Sequence, residues 1–216
     1  MLLLLFAVSI CFAAPNGENS ALVVIDMQDY FTNRNGFQKK PENQKKVNQI
    51  ISAQLAMIDQ ARKLNVPIIL IEYDCKGCGT TNERIKKAIA KYPKVKVIKK
   101  DTDGMFEDHN RYKKELVKYL EKEKIGTLVI TGANGGACVL ESIVGAVTNK
   151  YEVVAVTEGI ADFNYEDFIY PYENHYNKLS LRSIKEVSSV REANQALGPS
   201  KASAASAQKN KSENIR

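Results

Sequence analysis

The chain has 216 residues, 44% of them apolar, with 31 Lys and Arg against 25 Asp and Glu and a formal net charge of +6. About 200 residues with that apolar content build one domain around a full core, which excludes a largely disordered chain. The basic excess sits in scattered pairs (Lys39 and Lys40, Lys45 and Lys46, Lys86 and Lys87, Lys113 and Lys114) and in the last residues. It forms no single stripe interleaved with aromatics, so nucleic acid is not the expected partner.

The opening, MLLLLFAVSICFAA, is an apolar run of signal-peptide length, too short to span a bilayer. Cleavage is expected after Ala13, leaving a secreted or periplasmic chain with no membrane association. Residues 20–197 form the expected domain, and the small, polar and basic residues 198–216 a disordered tail.

Taken in order, residues 21–25 are a continuous apolar run, the pattern of a strand buried on both faces, and they end in Asp26. A loop with turn residues Asn33, Asn35 and Gly36 spans 29–41. Val47, Ile50, Ile51, Leu55, Ile58, Ala61 and Leu64 recur at helical spacing across 42–64. A second buried strand is expected at 68–73, then a loop whose Thr80 or Thr81 caps a short helix at 82–90. Residues 95–99 alternate apolar and charged side chains, as in a strand near a sheet edge, and lead to Lys100. A helix at 110–124 precedes the stretch IGTLVITGANGGACVLESIVGAV at 125–147. There a β-branched run at 127–131 meets a small-residue bend, and Val139, Ile143, Ala146 and Val147 then recur at helical spacing, placing Cys138 in the first turn of a helix. A strand at 151–157 and a loop at 159–164 follow. Residues 165–181 are aromatic and interrupted by Pro171, with helix expected on either side of it. An edge strand at 184–187 and a short helix at 190–197 end the domain.

Alternation of strands and helices at this spacing indicates an α/β fold, a parallel sheet covered on both faces, whose binding crevice lies at the carboxyl ends of the strands. Asp26, Lys100 and Cys138 occupy three such ends. Asp26 has two readings, a loop cap or a catalytic carboxylate. Lys100 is either one more solvated lysine or a member of a functional loop. Cys138 is either core filler or a nucleophile whose pKa is lowered by the helix dipole and by Lys100. Together the three make chemical sense, since the carboxylate can take the thiol proton and the ammonium keeps the carboxylate ionised. Backbone N–H groups of Asn134 and Cys138 would then face a tetrahedral oxyanion.

Outside the opening the cysteines are Cys75, Cys78 and Cys138. Cys75 and Cys78 can close a small disulfide loop, leaving Cys138 unpaired, and a redox role for that pair is a weaker alternative. His109 and His175 lie at no metal-ligand spacing, and neither metal nor cofactor is expected. Phe31, Tyr73 and Phe106 are the aromatic residues nearest the strand ends. They are candidates for a substrate pocket, with core packing the competing reading, evenly so for Phe106.

The segments ALVVIDMQDYF at 21–31, VPIILIEYDCKGCGT at 66–80, KDTDGMF at 100–106 and VITGANGGACVLESIVGAV running on to YEVVAVTEGIADF at 129–163 resemble the isochorismatase-like cysteine hydrolases. The resemblance implies a three-layer α/β/α sandwich with a six-stranded parallel sheet in Rossmann-like order. It places a catalytic triad on Asp26, Lys100 and Cys138. A non-proline cis peptide between Ala133 and Asn134, turning the Asn134 N–H toward the oxyanion, and a homo-oligomeric assembly are also implied. Nicotinamidases of this superfamily hold a metal with an Asp-x-His that is absent from Glu72-Tyr73-Asp74-Cys75, so a metal-dependent nicotinamidase is not expected. The expected function is hydrolysis of a small amide or other C–N bond of a small-molecule substrate through a Cys138 thioester. The alternative is a non-catalytic binding or interaction module on the same fold.

Overall fold

Because residues 21–25 present no polar face, β1 (Asn19–Ile25) lies inside the sheet with apolar neighbours on both sides. The structure, a computed structural model, describes residues 17–33, 41–161, 184–187 and 189–197. The expected signal peptide at 1–13, the aromatic segment at 165–181 and the tail at 198–216 lie outside the described residues.

The other strands are β2 (Ile68–Tyr73), β3 (Val95–Lys100), β4 (Ile125–Ala133), β5 (Glu152–Ala161) and β6 (Ile184–Val187). All pair in parallel, in the order β3-β2-β1-β4-β5-β6, the six-stranded Rossmann-like arrangement implied by the resemblance. The mixed pattern of β3 does place it at one edge, and β6 forms the other.

The helices are α1 (Asp29–Thr32), α2 (Pro41–Lys63), α3 (Glu83–Ile89), α4 (Lys113–Lys122), α5 (Cys138–Thr148) and α6 (Val190–Leu197). On one face Leu22, Val24, Leu70 and Val129 pack against the apolar stripes of α2, α3 and α6. On the other, Val23, Ile25, Ile69 and Ile130 meet Leu116 and Leu120 of α4 and Val139, Ile143 and Ala146 of α5. Fully burying a side chain of this size stabilises by roughly 1.5–3 kcal/mol, against the entropy of ordering it. With both faces covered, only the strand ends remain open for chemistry.

Three local differences from the expected elements have physical causes. β5 continues to Ala161 because Thr131 Oγ1 and Gln54 Nε2 both donate to the Gly159 carbonyl, at 2.6 and 3.0 Å, drawing the chain back beside β4 after a register shift. The loop expected at 29–41 begins with α1, where the Phe31 and Thr32 N–H groups turn back on the Gln28 carbonyl. The cap of α3 is Asn82, whose side chain accepts from the Arg84 N–H at 3.0 Å, whereas Thr81 donates its N–H and hydroxyl to Glu72 Oε1, both at 2.7 Å.

Candidate active site

Where β1 ends, Asp26 leaves the sheet with φ +52, a left-handed conformation uncommon outside glycine and frequent at functional sites. Its N–H is held by the Ile71 carbonyl at 2.9 Å. The neighbouring strand accommodates this turn through Gly132, at φ +138, where a Cβ would stand 2.2 Å from the Ile25 carbonyl oxygen. Only glycine lets β4 pass so close to β1 at this level.

Lys100, the last residue of β3, lies opposite Tyr73 in the ladder, and its side chain crosses the end of β2 to reach Asp26. Its Nζ is 2.9 Å from Asp26 Oδ2, 3.0 Å from the Thr102 carbonyl and 4.4 Å from the centre of the Tyr73 ring. The ammonium is fully buried and satisfied by an anion, a carbonyl and an aromatic face. Asp26 Oδ1, also buried, makes no hydrogen bond. The thiol of Cys138 interacts with both members of this pair.

Burial raises Asp26 above the ordinary carboxylate range, and the attraction of Lys100 offsets only part of it. Burial draws the Lys100 ammonium down, but Asp26 and Cys138 outweigh it and the net shift is upward. The Cys138 thiol is raised, first by burial and then by the Asp26 charge, with Lys100 opposing. This reverses the expected direction. A helix amino terminus is worth at most about 2 kcal/mol, while burial of an ionising group shifts its pKa by as much as 3–5 units, and Lys100 is already neutralised by Asp26. The shift favours the thiol over the thiolate in the resting site.

Cys138 is the first residue of α5, which has no side-chain cap, and among the described residues no acceptor meets its N–H. The Ala133–Asn134 peptide is cis. A pocket of about 340 Å³ opens in front of the sulfur, and Asp26, Phe31, Tyr73, Ala133, Asn134 and Cys138 all reach it. Lys100 is sealed beneath Asp26 and does not line it. Phe106 is a correction to the expected pocket, since it is 3% exposed and packs in the core, 5.4 Å from the Tyr151 ring and against Gly145. The loop after Lys100 turns inward because Met105 N–H bonds Ser142 Oγ at 3.2 Å and Asn110 Nδ2 bonds the Met105 carbonyl at 2.8 Å, carrying the ring beneath α5.

Other residues of the site were not anticipated. Asp103 lies on the pocket wall, where its Oδ1 accepts from Cys138 Sγ at 3.8 Å. Tyr30 also lines the pocket, as do Cys75 and Cys78, which are joined in a disulfide with Cα atoms 5.5 Å apart. The three-residue spacing of those cysteines signalled the bond but not its place in the wall. Asp74 is taken by Lys99, Tyr112 and Arg111, and Glu72 by Thr81. Among the described residues no three His, Cys, Asp or Glu side chains gather as a metal site.

The chain is thus an α/β sandwich with a parallel Rossmann-order sheet, and a carboxylate, an ammonium and a thiol meet at the strand carboxyl ends, where folds of this class bind ligands. The sequence profile of the Isochorismatase domain matches residues 20–182, and the chain belongs to the isochorismatase-like hydrolase family. Isochorismatase family protein 1B of Dictyostelium discoideum is 26% identical over 152 residues, 69% of this chain and 66% of its own length. Among solved structures, the MAR1 ribonuclease from Caenorhabditis elegans superposes with a TM-score of 0.63 at 21% identity, covering 86% of this chain and 84% of that one. The nicotinamidase SaPncA from Staphylococcus aureus does so with 0.61 at 22%, covering 79% and 99%. At those identities the structural likeness concerns the fold.

Proposed function

We propose that this hydrolase cleaves a small amide or other non-peptide C–N bond through a thioester on Cys138, with Asp26 as the proton carrier and Lys100 as its counter-ion. One observation carries the reading: the buried Asp26 carboxylate, paired with Lys100 Nζ at 2.9 Å, interacts directly with the Cys138 thiol at the wall of the pocket. A buried carboxylate in contact with a thiol that must lose its proton, and held by a cation of its own, is the arrangement of a general base.

In this mechanism Asp26 takes the thiol proton as the sulfur adds to the carbonyl carbon. Lys100 keeps the carboxylate ionised until that moment. The oxyanion is received by the backbone N–H groups of Asn134 and Cys138, each such donor typically worth about 3–4 kcal/mol of barrier. Collapse of the tetrahedral species breaks the C–N bond, and the proton on Asp26 goes to the departing nitrogen. Water then attacks the thioester, giving a proton to Asp26, which returns it to the sulfur as the acid leaves. The named activity of the nicotinamidase neighbour, which has the same fold, is in line with amide cleavage.

The test is ammonia release from a panel of small primary amides, together with mass spectrometry of the quenched protein. A Cys138-linked acyl adduct and loss of activity by about 10⁴-fold or more in Cys138→Ala are expected. Absence of both across the panel would overturn the reading in favour of a binding module. Export is part of the same proposal, supported by the Cys75–Cys78 disulfide, a bond that persists in oxidising compartments. An amino terminus at Ala14 in the protein recovered from its producing cells is the expected result.

A further inference from the structure

We propose that the pocket selects amides whose acyl part carries an ammonium group on the α or β carbon, and that Asp103 holds this ammonium. The inference rests on the reading of the site as an amide hydrolase and names its substrate class.

Asp103 is an exposed residue of the pocket wall, and its Oδ1 accepts from Cys138 Sγ at 3.8 Å. An attacking sulfur comes to about 3–3.5 Å from the scissile carbon, so the carboxylate is within one short side chain's reach of that carbon. The loop that carries it is fastened on both sides. Before it, the Thr102 carbonyl accepts from Lys100 Nζ and Thr102 Oγ1 donates to the Gly104 carbonyl at 2.9 Å. After it, Gly104 N–H bonds Glu107 Oε1 at 2.5 Å and Met105 N–H bonds Ser142.

Asp103 also has no cationic partner among the described residues. Lys100 is paired with Asp26, Lys99 with Asp74, and Arg111 with Asp101 and Asp74. Asp26 and Lys100 are paired with each other, so Asp103 is the carboxylate of the pocket lining left without a cation among the described residues. Three aromatic side chains line the same pocket, Tyr30 and Phe31, edge to face at 5.7 Å, and Tyr73. A carboxylate beside aromatic rings attracts a cation and repels carboxylate or phosphate. A neutral amide of the same shape gains nothing from Asp103.

The experiment uses the full chain with Cys138→Ala, which binds without turning over, and three ligands of similar length titrated by protein NMR: β-alaninamide, butyramide and succinamate. β-Alaninamide is expected to bind about 10-fold more tightly than butyramide, with succinamate the weakest. Adding Asp103→Asn, its fold checked by circular dichroism, removes that preference. Equal affinity for β-alaninamide and butyramide, no binding of β-alaninamide, or a preference that survives Asp103→Asn each overturns the proposal. Ammonia release by the unsubstituted chain tests the hydrolase reading separately, so failure of one is distinguishable from failure of the other.

Discussion

Gln28 and Tyr73 are bonded twice across the ends of adjacent strands: Tyr73 N–H donates to Gln28 Oε1 at 2.6 Å, and Gln28 Nε2 donates to the Tyr73 carbonyl at 3.1 Å. The same Nε2 reaches the Gly79 carbonyl at 3.1 Å, so one buried amide ties β1, β2 and the disulfide loop together. Tyr73 in turn supplies the ring over Lys100 and a wall of the pocket. Gln28→Leu would strand a backbone donor and two carbonyls at a cost of about 1–3 kcal/mol. Urea unfolding should show that loss, and KM should rise more than kcat falls, because the pocket wall shifts while the acid, base and thiol remain.

The pH dependence follows from the direction of the Asp26 shift. Catalysis needs the carboxylate, and burial holds its pKa above the ordinary range. The acid limb of kcat/KM is therefore expected at a higher pH than a solvent-exposed aspartate would give. For stability the sign is the same: a proton held more tightly in the folded state contributes fully below the ordinary carboxylate pKa, and that contribution is lost as pH rises through the folded value. A kcat/KM profile with its acid limb in the unperturbed carboxylate range would contradict this assignment.

Lys100→Met removes the cation and leaves Asp26 buried without its partner. Breaking such a pair costs about 3–5 kcal/mol at neutral pH. The orphaned Asp26 then titrates at a still higher pH, so acid relieves the strain by neutralising it, and the deficit should shrink at about pH 5. Urea midpoints for both proteins at the two pH values measure the change. A deficit independent of pH would mean that Lys100 acts by packing alone.

The Cys138 thiol is the point at which the sequence and the structure part most clearly. A cysteine opening a helix after a glycine-rich bend is legible in the chain, and so is the electrostatic help expected from the helix. Its burial and the neutralisation of Lys100 by Asp26 arise only from packing, and they push the pKa upward. Alkylation of Cys138 should accordingly be slow at neutral pH and climb only above the range of an ordinary thiol. Asp26→Asn, which removes the neighbouring negative charge, should move that rise to lower pH. Peptide mapping by mass spectrometry separates Cys138 from the disulfide cysteines.

Apolar runs at β1 and β2 and the alternating charges of β3 are local signals, so the sheet and its order of burial could be anticipated from composition and period. Asp26, Lys100 and Cys138 were legible because strand ends of a parallel sheet converge by topology, whatever the side-chain packing. Phe106 and Asp103 were not, because they lie three residues apart on one loop and point opposite ways. Their orientation depends on the bond from Met105 to Ser142, made across 37 positions of the chain. The extension of β5 to Ala161 likewise rests on Gln54 and Thr131, remote in sequence from Gly159.

The disulfide also acts through a remote contact. The Cys78 carbonyl accepts the Tyr30 N–H at 3.2 Å and the Thr80 carbonyl accepts the Asp29 N–H at 2.9 Å, so the loop closed by Cys75 and Cys78 holds the short helix that carries Tyr30 and Phe31. Closing so small a loop contributes about 2 kcal/mol at most, and global stability should fall only modestly on reduction. The aromatic wall, by contrast, loses its tether. Mild reductant, and independently Cys75→Ser with Cys78→Ser, should raise KM for amide substrates several-fold with kcat little changed, because Asp26, Lys100 and Cys138 stand on other elements. Steady-state kinetics with and without reductant decide it. A fall in kcat at constant KM would place the effect of the disulfide on the chemistry rather than on the pocket.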